Sequence, residues 1–133
     1  MRDLLQEDHE TALVRAFVRK ERVARWLEFL ALPSRRADFL HRLADPRDLR
    51  PERRVGVSGS SIETVAILRS RGAPQRCHVV SEIPALDGRF LNLTEAVEQI
   101  RGTGLGTIVS CIPGRLALYE GERQEDRCLL VVT

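Results

Sequence analysis

The tetrapeptide Ser58-Gly-Ser-Ser61 is where residue type and spacing point most directly to chemistry. It stands between a short apolar stretch, Arg54-Val-Gly-Val57, and a helix-patterned run that starts at Ser61. Glycine and serines at such a junction offer backbone N–H groups and hydroxyl donors at the positive end of a helix dipole, which together suit a phosphate. Ser58, Gly59, Ser60 and Ser61, with Thr64 one turn on, are therefore the candidate ligand-binding residues. The same letters carry a second reading that needs no ligand. Ser60 and Glu63 have the S-x-x-E spacing of a capping box, and a carboxylate at the helix start disfavours a bound anion unless it points away.

Other constellations are weaker. Cys77-His78 near Glu82 suggests a thiol with a base, but adjacent strand residues face opposite sides of a sheet, so Cys77 cannot easily use His78. His78 and Glu82 share a parity, which allows a polar pair at the sheet's end. His9, His41 and His78 are too scattered for a metal site, and no cofactor motif stands out. Gly102-Thr-Gly-Leu-Gly106 has dinucleotide-like glycines in the wrong order, after a helix and before a strand, so they read as cap and turn glycines. Arg15, Arg19 and Arg22, with Trp26, fall on one stripe of a continuous helix and are the candidate nucleic-acid contacts. Glu21 and Arg25 form an i,i+4 pair beside them, so a solvated face explains the stripe as well, and nucleic acid is not the favoured partner.

The run Ser58-Gly-Ser-Ser-Ile-Glu-Thr-Val65 resembles the phosphosugar-binding segment of sugar isomerase (SIS) domains, in which a strand leads into a Ser-Gly-x-Ser/Thr-x-Glu-Thr-Val type loop and helix. The likeness covers residues 56–82. It implies that Ser58, Gly59, Ser61 and Thr64 would lie around a sugar phosphate. Gly56 stands where that family usually has a further serine, and the charged helical segment upstream and the hairpins downstream have no counterpart in it.

The elements that must position these residues follow from periodicity and punctuation. Residues 10–32 contain no glycine or proline, and Leu13, Ala16, Phe17, Ala24, Leu27 and Ala31 recur at helical spacing, with Lys20 intruding on that face. A second helix is expected after Pro33, closed by Asp45-Pro46. Residues 1–50 thus read as a helical hairpin, an arm packed on a body of residues 54–133 within a single 1–133 domain. In the body, strand, helix and strand over 54–81 predict a βαβ crossover. Thr94 is placed to cap a further helix through Arg101. Three strands follow, over 107–112, 115–119 and 127–132, joined by Pro113-Gly114 and by the charged loop 120–126. The expected class is α/β or α+β, with a mixed sheet of about five strands, antiparallel at its C-terminal end.

Composition sets the outer bounds. The chain's 133 residues suffice for one core and not two, with 43% hydrophobic residues to fill it and 30% charged residues to cover it. The longest apolar run is far below the roughly 20 residues of a membrane span, and the acidic first ten residues do not read as a signal peptide, so a cytoplasmic address without membrane contact is expected. Three separated cysteines, Cys77, Cys111 and Cys128, read as buried thiols in a reduced compartment. The net charge is +2, the basic side being arginine apart from Lys20. No residue set reads as catalytic. The function expected first is a small binding or regulatory module without catalysis, acting through a protein partner or self-association. The alternative is a phosphosugar or other phosphorylated small molecule at residues 58–61, with or without isomerase chemistry. Third comes nucleic acid on the arm.

Overall fold

The computed structural model describes residues 4–132. Helices α1 (Leu4–Phe17), α2 (Lys20–Ala31) and α3 (Arg36–His41) form the arm, followed by three-ten turns at Arg42–Ala44, Pro46–Asp48 and Pro51–Arg53. The body runs β1 (Arg54–Gly56), α4 (Ser61–Ser70), β2 (Arg76–Ser81), β3 (Phe90–Asn92), α5 (Leu93–Ile100), β4 (Thr107–Ile112), β5 (Leu116–Glu120) and β6 (Cys128–Val131). The strands make one sheet in the order β1-β6-β5-β4-β2-β3.

The α+β class holds, with two differences in the sheet. It has six strands rather than five, because Phe90–Asn92 pairs with the outer edge of β2 through the register Cys77↔Leu91. Three residues directly after a turn show no period for a sequence pattern to reveal. Every ladder is antiparallel rather than mixed. β1 and β2 do run in the same direction around α4, but β6, β5 and β4 lie between them, so the crossover spans the sheet instead of joining neighbours.

Both faces of the sheet are covered, which explains why strand residues of either parity are apolar. Val80, Ile108, Ala117, Tyr119, Cys128 and Leu130 point to the arm and meet Leu13, Phe17, Trp26, Phe39 and Leu43. Cys77, Val79, Val109, Cys111, Leu118 and Leu129 point the other way, onto Val65 and Leu68 of α4 and Leu93, Val97 and Ile100 of α5. An antiparallel sheet that alternated polar and apolar residues would have had one wet face. This one is a middle layer. Its three cysteines are free and buried.

The arm is not one long helix. Val18 leaves the helix to bridge Leu49, and Arg19, with extended backbone, starts α2. The break is held by side chains from downstream. Arg50 donates to the carbonyls of Val18 and Arg15, and Arg53 donates to that of Ala16, so two guanidiniums satisfy carbonyl oxygens that end α1 and complement the negative end of its dipole. Lys20 therefore begins a new helix on the surface instead of interrupting an apolar face. The rotation between the helices also buries Trp26, whose indole N–H donates to Asp48 at 3.0 Å, and leaves Ala24 and Ala31 exposed.

Gly106 shows how closely arm and sheet approach. A Cβ there would lie 2.4 Å from the backbone carbon of Leu43, so only glycine lets β4 begin against that turn. Tyr119 donates to the carbonyl of the same Leu43 at 2.7 Å. Phe17, Leu30, Phe39 and Leu43 are buried from the arm side, each worth roughly 1.5–3 kcal/mol of burial. Removing residues 1–50 is expected to leave a body that is insoluble or lacks fixed packing. A 51–133 fragment with dispersed NMR signals and the full-length melting temperature would contradict that.

Candidate functional site

The residue types most suggestive of catalysis meet between α1 and the sheet. His78 projects from β2 to the arm side, with its Nε2 2.7 Å from Oε2 of Glu10. Arg36 grips the same carboxylate with both terminal nitrogens, at 2.6 and 2.9 Å, and holds Asp87 at 2.9 and 3.0 Å. His9 Nδ1 lies 2.7 Å from the Ser110 hydroxyl, and the Phe90 ring packs against both imidazoles, tilted to His78 at 4.6 Å and edge-on to His9 at 5.6 Å. Glu10 and His78 are fully buried and Ser110 nearly so.

Burial alone would raise the Glu10 carboxyl, but the hydrogen bonds from His78 and Arg36, with the charge of Arg36, hold it down at about 2. The pair that parity allows between His78 and Glu82 is not made: Glu82 accepts from the Gly106 N–H at 2.8 Å, while His78 turns to the arm. Cys77 lies on the opposite face from His78, in the α4–α5 core. These groups have the chemistry of an acid–base site and the position of a clasp. No cluster of three or more metal-ligating side chains occurs among the described residues.

The serine loop sits at the other face. Gly59 has a positive φ of 102°, and a Cβ there would strike the Glu63 carboxylate at 2.7 Å. Both halves of the capping box are made: Ser60 Oγ accepts from the Glu63 N–H at 3.1 Å, and Glu63 Oε1 accepts from the Ser60 N–H at 3.3 Å. Thr64 is buried, its hydroxyl donating to the Ser60 carbonyl and accepting from Arg127 Nη2 at 2.6 Å. Arg127 also holds Glu120 at 3.1 Å and reaches the Gly59 carbonyl, where Arg101 donates at 2.6 Å. Burial pushes the Glu120 carboxyl above its usual range, against the pull of Arg127.

A cleft of about 350 Å³ opens between Ser58, Gly59, Arg101, Glu120 and Arg127. The structure thus brings Ser58 and Gly59 to a cleft wall, while Ser60 and Thr64 are engaged in holding the helix. Nothing in the sequence singled out Arg127, which reads only as the first residue of the last strand, after the charged loop 120–126.

The three arm arginines do not share a helical stripe, because the chain breaks between them. Arg15 is on α1, Arg19 is in the break with its Nε on the Arg47 carbonyl, and Arg22 is on α2 beside Asp48 at 3.9 Å. Trp26, expected on the stripe, is in the core. A different arginine cluster emerges. Arg25, Arg35 and Arg42 surround the Phe29 ring at 5.3, 5.0 and 5.5 Å, within a cleft of about 430 Å³ that Arg47, Asp45 and Glu122 also line. Arg35 and Arg42 lie in three-ten turns, where no helical or strand period brings them into register with α2.

Two tests separate structure from ligand here. Glu10 is depressed in the fold, so its contribution is complete above its ordinary value of 4.5 and is lost as pH falls towards 2. Stability should therefore drop through that window, by an amount on the order of 3 kcal/mol from this group. In Glu10→Gln the protein should be weaker at pH 7 and lose less on acidification, measured by denaturant midpoints. At the serine loop, Ser60→Ala should cost about 1 kcal/mol with or without a sugar phosphate, whereas Ser61→Ala should cost little. Loss in Ser61→Ala alone, or only with ligand present, would point to a phosphate site instead.

Compared with protein-family models, curated proteins and solved structures, the chain has no significant match in any of the three.

Proposed function

We propose that the chain is a small cytosolic binding module without catalysis of its own, acting through protein–protein contact on the outer face of α4, in the first place with a second copy of itself. The observation that carries this reading is the composition of that helix. Thr64, Val65 and Leu68 are buried beneath it, yet Ile62, Ala66 and Ile67 stand outward, with Ile62 78% exposed. A helix that covers one face of a sheet ordinarily turns polar residues to water; one that is apolar on both sides has a second surface to bury.

The outward face is also self-complementary. In an antiparallel pairing of two copies about a two-fold axis at Ala66, Ile62 of each lies beside the crossing, level with Ser70 of the other. The small alanine at the crossing lets the helices approach closely. Buried thiols at Cys77, Cys111 and Cys128, all free, fit a reducing compartment.

Sedimentation at rising concentration tests the reading. The wild-type chain should pass from monomer to dimer, and Ile62→Glu should stay monomeric while keeping its melting temperature. A wild type that remains monomeric at high concentration would remove self-association. Dimers unaffected by Ile62→Glu would place the contact elsewhere.

A further inference from the structure

We infer that the arginine-lined cleft around Phe29 is a binding site for a small phosphate monoester that also carries hydroxyl or amino groups. The fold itself shows how it treats an arginine that is only structural. Arg36 lies 5.1 Å over the Phe39 ring and is neutralised by Glu10 and Asp87 together. Arg25 and Arg42 are placed against Phe29 in the same way but make no hydrogen bond or ion pair among the described residues. Arg35, the third around that ring, holds only the exposed Asp38, at 2.5 Å.

Since all three lie within 5.5 Å of one centroid, no two guanidinium carbons can be more than about 11 Å apart, close to the screening length of a physiological buffer, so their repulsion is felt. Convergence of this kind is relieved by a multivalent oxyanion, for which planar guanidinium donors are well matched. Residues 15–54 hold twelve arginines and lysines against six acidic residues, while the cleft lining itself sets Arg25, Arg35, Arg42 and Arg47 against Asp38, Asp45, Asp48 and Glu122.

The carboxylates decide what kind of anion. Asp45 is paired with Arg47, and Asp48 is taken by Trp26 and faced by Arg22, whereas the Glu122 carboxylate makes no hydrogen bond or ion pair among the described residues. A polyphosphate backbone threading the cleft would run past Asp38, Asp45 and Glu122 and be repelled. A single phosphoryl group needs only Arg25 and Arg42, and hydroxyl or amino groups on the rest of the molecule can donate to the acids of the same lining. A volume of about 430 Å³ suits a ligand of that size.

The test uses the full chain, titrated with glucose 6-phosphate, glucose, inorganic phosphate and a short single-stranded oligonucleotide, and followed by calorimetry and by NMR of arginine Nε–H groups. Glucose 6-phosphate should bind saturably and glucose should not. Inorganic phosphate should compete, and the Arg25 and Arg42 side-chain signals should shift. Arg25→Gln and Arg42→Gln should each weaken binding by about tenfold or more, while Ser61→Ala leaves it unchanged. If a substituted protein fails to fold, the wild-type NMR shifts decide alone. The inference is overturned by absence of binding at about 10 mM, by affinity retained in both arginine variants, by shifts centred on residues 58–61, or by an oligonucleotide that binds where the monoester does not.

Discussion

The Glu10 carboxylate is the point on which the two halves of the molecule depend. It comes from the first helix, is shut away from water, and is held by Arg36 from the third helix and His78 from the second strand. Asp87, in the loop after that strand, takes the other edge of the same guanidinium. Three residues far apart in sequence thus meet at one charge, and a fourth steadies the guanidinium that holds it. Burying a carboxylate is costly, and a buried pair often does no better in net stability than apolar residues of the same volume. What it supplies is selection among arrangements. An apolar helix pair could slide on an apolar sheet with little penalty, but any slide here would strand an ionised group in the core.

That constraint accounts for the character of the sheet. With the arm fixed on one face and α4 and α5 on the other, nearly every strand residue from β2, β4 and β5 is buried. The polar ones are paired across the sheet or to the arm, as in the Ser81–Thr107 contact at 2.7 Å and the His9–Ser110 contact. The remaining anchors are backbone ones. Gly106 and Tyr119 both meet Leu43, and the Glu122 N–H donates to the Ala44 carbonyl at 2.7 Å. Arm and sheet are therefore joined at two ends, by a charge cluster near β2 and by the turn at residues 42–44 near β5.

Local signals in the sequence read well wherever the cause is local. The Ser60–Glu63 cap, the Gly72 helix end and the strands at 76–81 and 107–112 depend on neighbours a few residues away. The errors arise where a distant residue decides. The gap at Val18 and Arg19 is made by Leu49, Arg50 and Arg53, and no breaker residue marks it. With the gap goes the facing of α2, hence the burial of Trp26 and the loss of the basic stripe. α5 begins one residue earlier than Thr94 because Asn92 accepts from the Thr94 N–H. The serine loop was legible as a place of interest, but its engagement by Arg127 depends on a residue more than 60 positions away. The arginine cleft was not legible at all, since its members come from one helix and two three-ten turns without a shared period.

The loop between β5 and β6 ties these features together physically. Glu122 lines the arginine cleft, Gln124 and Glu125 line the cleft beside Gly59, and Arg127 holds the start of α4. The loop is pinned at its first end to Ala44 and at its last by the Glu120–Arg127 pair. A group that draws Glu122 towards or away from the arginines therefore acts on a segment five residues from the contact that positions α4. Coupling between separate sites requires an element that both of them bias. Residues 121–127 touch both, because Arg127 holds Thr64 and the Gly59 carbonyl, beside the cap that Glu63 closes under Gly59. The arginine cleft on the arm face and the start of α4 are thereby linked by one short loop rather than by deformation of the six-stranded sheet, whose close packing on both sides resists it.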